Sequence, residues 1–173
     1  MKKIWITAGV ALLTLGITRT LWAEQEAQQS PQVLIGGYSP VLKGVKGFHV
    51  FVHLSDNVAK LGVTKEQVES RVELALRRNG VPVLSLEEGG KTLGRPYLRA
   101  ALVGGQDAVS VRLECREDMF LVREPGNLVQ GVETYLSGGI TFSTSSDGIY
   151  KALDKHTDKF CLEWLRENPK ESR

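Results

Sequence analysis

Cysteine and histidine are scarce in this chain, a clustered positive face is missing, and the longest apolar run is too short to span a membrane. There are two cysteines in 173 residues and no Cys-x-x-Cys pair, which argues against a redox enzyme. Two of the three histidines, His49 and His53, have a spacing that chelates metal on a helix. Their segment reads as a strand, however, and at ~3.3 Å per residue they stand about 13 Å apart, too far to share one ion. His156 is expected on a helix near Asp154 and Asp158, in a structural or surface role. No metal site and no cofactor are expected. There is no Gly-x-Ser-x-Gly elbow. Gly89-Gly90-Lys91-Thr92 looks like the end of a phosphate loop but lacks that pattern's first glycine.

What is present begins with a leader. Lys2 and Lys3 precede an apolar core at residues 4–17, and Leu21-Trp22-Ala23 offers a small exit residue. This is the layout of a secretory signal peptide, residues 1–23. Arg19 stops the core short of the roughly 20 residues a bilayer span requires, so cleavage after Ala23 with no stable membrane span thereafter is expected, an uncleaved anchor being the competing reading. No cysteine near residue 23 supports a lipid anchor. Cleavage leaves 150 of the 173 residues, enough for one domain. It also removes Lys2, Lys3 and Arg19, leaving 19 basic against 20 acidic side chains and a net charge near −1. That balance argues against nucleic acid as a partner. The expected location is periplasmic or secreted.

Residues 24–46 read as a flexible tether, punctuated by Pro31, Gly36-Gly37 and Pro40. The single α+β domain is expected over residues 47–169. Residues 48–54 alternate Phe48, Val50, Val52 and Leu54 against His49, Phe51 and His53, which predicts a strand. Thr64 and Gln67 form an expected capping box, stapled by Val63 and Val68. The helix that follows carries Val68, Val72, Ala75 and Leu76 on its buried stripe and stops at Asn79-Gly80. Residues 81–85 predict a second, parallel strand. A short helical turn is expected from Ser85, halted by Gly89-Gly90. Residues 97–103, 109–123 and 128–144 predict an antiparallel meander, with a type II turn at Pro125-Gly126 and a break or bulge at Gly138-Gly139. A last helix, residues 146–168, buries Ile149, Leu153, Phe160 and Trp164, widened by Tyr150, Cys161 and Leu165. The expected fold is thus one mixed, mostly antiparallel sheet of about five strands with two main helices on one face.

Cys115 falls on the apolar side of a strand and Cys161 on the apolar stripe of the last helix. In an oxidising compartment the two are candidates for a disulfide, alongside the alternative of two buried thiols. His49, Phe51 and His53 on the first strand, with Tyr97 and Arg99 on the second long one, are the candidate binding residues. A rival arrangement places hydrolase chemistry near His53, Asp56 and Ser143, although these residues also serve simply as a strand exit and a helix cap.

Four segments together carry a resemblance: residues 42–47 (Leu-Lys-Gly-Val-Lys-Gly), 61–67 (Leu-Gly-Val-Thr-Lys-Glu-Gln), 77–84 (Arg-Arg-Asn-Gly-Val-Pro-Val-Leu) and Pro96-Tyr97-Leu98. The chain resembles a group of small uncharacterised bacterial exported proteins over most of residues 42–169. More loosely, its opening is similar to the amino-terminal domain of TolB and to CsgG- and LpoB-type envelope domains. That resemblance implies a non-enzymatic binding or assembly module with an envelope protein partner. It supplies no catalytic residue.

Overall fold

The computed structural model describes residues 41–169 apart from Gln106 and Thr144. The expected signal peptide and residues 24–40 of the expected tether lie outside the described residues. Four strands form one sheet in the order β1-β2-β3-β4. They are β1 (His49–Leu54), β2 (Tyr97–Gly104), β3 (Val109–Leu121) and β4 (Glu124–Thr141). β1 runs parallel to β2, and the other pairs are antiparallel. The helices are α1 (Asp56–Ala59), α2 (Lys65–Arg78), α3 (Leu86–Lys91) and α4 (Ser146–Glu167). The class is α+β with a mixed sheet, as the residue pattern predicts.

α2 starts where its cap predicts: the Thr64 hydroxyl accepts from the Gln67 amide at 3.3 Å. The other half of the expected box is not made. Gln67 instead accepts a hydrogen bond from the Tyr150 phenol on α4, so a local cap becomes a tie between helices. Val63 and Val68 are both buried, as a staple requires. Gly80 closes the helix with a φ of +75°, which a side chain would disfavour.

The expected fifth strand is reduced to a single parallel bridge between Phe48 and Val83. Two hydrogen bonds hold it, Phe48 N–H to the Pro82 carbonyl at 3.1 Å and Leu84 N–H to the Phe48 carbonyl at 2.9 Å. Pro82 has no amide to extend the ladder. Ser85 turns straight into the capping box of α3, exchanging hydrogen bonds with Glu88. Gly89 and Gly90 do not halt that helix but lie within it.

The β3–β4 hairpin differs from expectation at both ends. Its turn is Val122-Arg123, since Leu121 pairs with Glu124, and Pro125-Gly126 lies inside β4. Proline is tolerated there because β4 is an edge strand. The irregularities fall at Cys115/Arg116, Glu117/Met119 and Phe120/Leu121. Gly138 and Gly139 are in regular register with Arg112 and Val111, and their small size serves close approach instead. A Cβ on Gly138 would lie 2.7 Å from the Arg112 Cγ, and one on Gly139 would lie 3.4 Å from the His156 Nε2.

One core lies between the sheet and the pair α2 and α4. The sheet supplies Val50, Val52, Leu98, Ala100, Leu102, Val111 and Leu113, while α4 supplies Ile149, Leu153, Phe160 and Trp164. Phe160 sits edge-on to both Phe48 and Tyr135, with ring centroids 5.2 and 5.3 Å away. The packed chain begins before the expected start at Gly47. Leu42 is fully buried, and the 41–46 turn is bound to the end of α4.

Candidate functional site

Strand alternation gives the sheet two unlike faces. The helices cover the side bearing Val50, Leu98 and Leu113. The opposite side carries all five candidate binding residues, His49, Phe51, His53, Tyr97 and Arg99. Parallel register sets His49 beside Tyr97 and Phe51 beside Arg99, with His53 next to Ala101. Phe51 is 51% exposed there, unusual for a phenylalanine in a strand.

The next strand completes the face with residues that the sequence did not single out. Arg99 pairs in register with Glu114, Tyr97 with Arg116, and Ala101 with Arg112. Glu114 is only 1% exposed and is ringed by three guanidinium groups. Arg116 lies 3.0 Å away, Arg99 3.4 Å and Arg112 3.7 Å. Arg116 also donates to the Gly131 carbonyl and reaches Glu133 at 3.5 Å. Burial works against the charge of Arg116, but the hydrogen bond and charge of Glu114 outweigh it and hold its pKa above the usual value. The Arg99 Nε is buried and finds no partner among the described residues, so one donor of the cluster is unused. In the sequence this row reads only as the polar half of an alternating strand. Convergence of three arginines on one acid depends on pairing between strands, which the sequence does not display.

Two clefts flank this face. One, about 460 Å³, has His49, Tyr97 and Arg116 along its floor and Leu86, Gly89 and Gly90 of α3 as a wall. Gly89 belongs there by size, since a Cβ on it would lie 3.2 Å from that of His49. Across Arg95 and Pro96 lies a larger cleft of about 880 Å³, with Val45, Leu93, Phe120 and Leu128 among its lining. Both volumes fall in the range of small-ligand sites. The partition between them is held under strain. Arg95 has a φ of +42°, rare for a side-chain-bearing residue, and is fixed by an ion pair to Asp118. Asp118 in turn accepts from the Gly131 amide and donates its own amide to the Gly94 carbonyl.

The rival hydrolase residues are not gathered in this way. His53 is on β1 and Ser143 follows β4, with two strands between, about 14 Å at the usual strand spacing. Ser143 bonds to Thr141 and Ser145, and Ser145 caps α4. Asp56 opens α1. His156, on α4, shares a 3.0 Å hydrogen bond with Ser137. Burial, then Lys155 and Lys159, lowers its pKa. Among the described residues no group of three His, Cys, Asp or Glu side chains is placed to hold a metal, and no helix is long and apolar enough to cross a membrane.

Cys115 and Cys161 both land in the sheet–helix interface but are free thiols. Of the two readings the sequence leaves open, the disulfide is not made and the buried thiols are found, each sulfur facing elsewhere. Cys115 points to Glu117 and Cys161 to the Ala75 carbonyl. Burial pushes the Cys115 thiol up to about 12 and that of Cys161 up to about 11.

No protein-family model matches the chain, and no curated protein matches it.

Proposed function

We propose that this chain is an exported, non-enzymatic binding or assembly module that engages an envelope protein through the face of its sheet that α2 and α4 leave uncovered. One observation carries the reading. Phe51 is largely exposed on that face, directly beside Arg99, whose side chain keeps part of its surface in solvent and belongs to a cluster built around a buried acid. An apolar anchor next to partly exposed arginines is the composition of an interface core, where aromatic and Arg residues concentrate. The leader predicted at residues 1–23 supports a periplasmic or secreted location for such a surface. The partner this chemistry suits presents an apolar pocket bordered by a carboxylate or carbonyl groups.

The test is site-specific photocrosslinking in intact cells with a benzoylphenylalanine at position 51, and a control at the exposed Glu66 on α2. The expected result is a discrete protein adduct from position 51 that the control does not give and that Arg99→Glu diminishes. Identical adducts from both positions, or none from position 51, would remove the support for this face.

A further inference from the structure

We propose that β4 is a self-association edge: two copies of the chain pair their β4 strands antiparallel about a two-fold axis at Gly138, making one continuous sheet. β4 is last in the strand order, so among the described residues no strand bonds its outer backbone N–H and C=O groups. The opposite edge, at β1, is occupied in part by the Val83 bridge. Exposed edges are normally guarded by charge, proline, bulges or short length. β4 spans 18 residues, and its bulged register lies toward the hairpin tip, away from Ser137–Thr141. Residues 134–143, Thr-Tyr-Leu-Ser-Gly-Gly-Ile-Thr-Phe-Ser, contain no charge and no proline.

The occupant follows from self-complementarity, which a two-fold interface requires. With Gly138 opposite its own copy, Leu136 meets the partner's Ile140, and Ile140 meets the partner's Leu136. Both lie on the face away from the helices and are 50% and 67% exposed, so the pairing covers apolar surface that a lone chain leaves to water. The first charge met along β4, Glu133, lies beyond the register shift that follows Tyr135 and is already held by Arg116 at 3.5 Å. No like charges oppose one another. This proposal does not depend on which partner the uncovered face engages.

Sedimentation equilibrium of the purified protein tests it. A concentration-dependent dimer is expected, and Leu136→Lys with Ile140→Lys is expected to raise its dissociation constant at least tenfold without changing the circular dichroism spectrum. Independently, the Leu136→Cys/Ile140→Cys protein is expected to form a covalent dimer on mild oxidation, which Ser70→Cys on α2 does not. A monomer at every concentration, a dimer indifferent to the two lysines, or a double-cysteine protein that does not crosslink each overturns the proposal.

Discussion

Glu114 sits where a lone carboxylate is costly, almost without water and flanked by three arginines from two strands. The arginines on either side keep part of their surface in solvent, so the acid bears most of the desolvation and also neutralises them. Removing its charge leaves three cations facing one another across a partly dry sheet surface. Glu114→Gln is therefore expected to cost about 3 kcal/mol, the usual penalty for breaking a buried pair from one side, read by urea unfolding. Phe51→Ala, two strands away and half exposed, is expected to change stability by less than about 0.5 kcal/mol. The thiols give a second prediction at this scale. With burial holding Cys115 near 12 and Cys161 near 11, almost no thiolate exists at pH 8. The native protein is expected to leave a thiol reagent unreacted over hours, and protein unfolded without reductant is expected to titrate two thiols. A denatured, unreduced sample that titrates none would instead show the bridge.

The β3–β4 hairpin couples its own protonation to its stability through Glu117. Burial raises the pKa of this half-buried carboxyl, partly offset by hydrogen bonds from Thr134 and Cys115. The folded state thus holds the proton more tightly than the unfolded chain, whose Glu titrates near 4.3. Ionising it weakens the fold as pH rises through the carboxyl range. Glu117→Gln is expected to raise the thermal midpoint at pH 7, with an advantage that shrinks below about pH 4, where the native residue is also protonated. Scanning calorimetry at the two pH values checks it. Elements with a local signature were legible in the sequence. The Thr64 cap, the Gly80 stop and the α4 stripe from Ile149 to Trp164 all follow from spacing within a few residues. The hairpin was legible as two strands but not in its turn. Pro125-Gly126 has stronger local turn chemistry than Val122-Arg123, and bulged ladder pairing displaced it. Residues 81–85 have the apolar run of a strand, but Pro82 interrupts it from within and its last residue, Ser85, is already a helix cap.

At the scale of the whole molecule, the two ends of the described domain are stitched together by contacts that no local pattern announces. The Leu42 amide donates to Glu167, and Asn168 donates back to the Leu42 carbonyl, both at 2.8 Å across at least 125 positions of sequence. The Trp164 indole donates to the Val45 carbonyl at 3.0 Å, and the Gly44 amide reaches the Asn168 side chain. Leu42 itself is fully buried in the main core. Residues 41–46 therefore belong to the folded unit, although their glycines and lack of period read as a tether. The same distance effect hid half of the candidate surface: His49, Phe51 and His53 alternate visibly within one strand, whereas the Glu114 cluster exists only once β2 and β3 are in register. If the stitch belongs to the cooperative core, Leu42→Ala should cost about 2–4 kcal/mol, the usual loss for a buried leucine. It should also move one unfolding transition as a whole rather than split it. Leu93→Ala, at a leucine 96% exposed, should leave the same transition within about 0.5 kcal/mol. Urea denaturation followed by tryptophan fluorescence is suited to the comparison, because Trp164 is one of the stitched residues. A Leu42→Ala protein that unfolds like the unaltered chain would return residues 41–46 to the tether and place the start of the cooperative unit at Gly47.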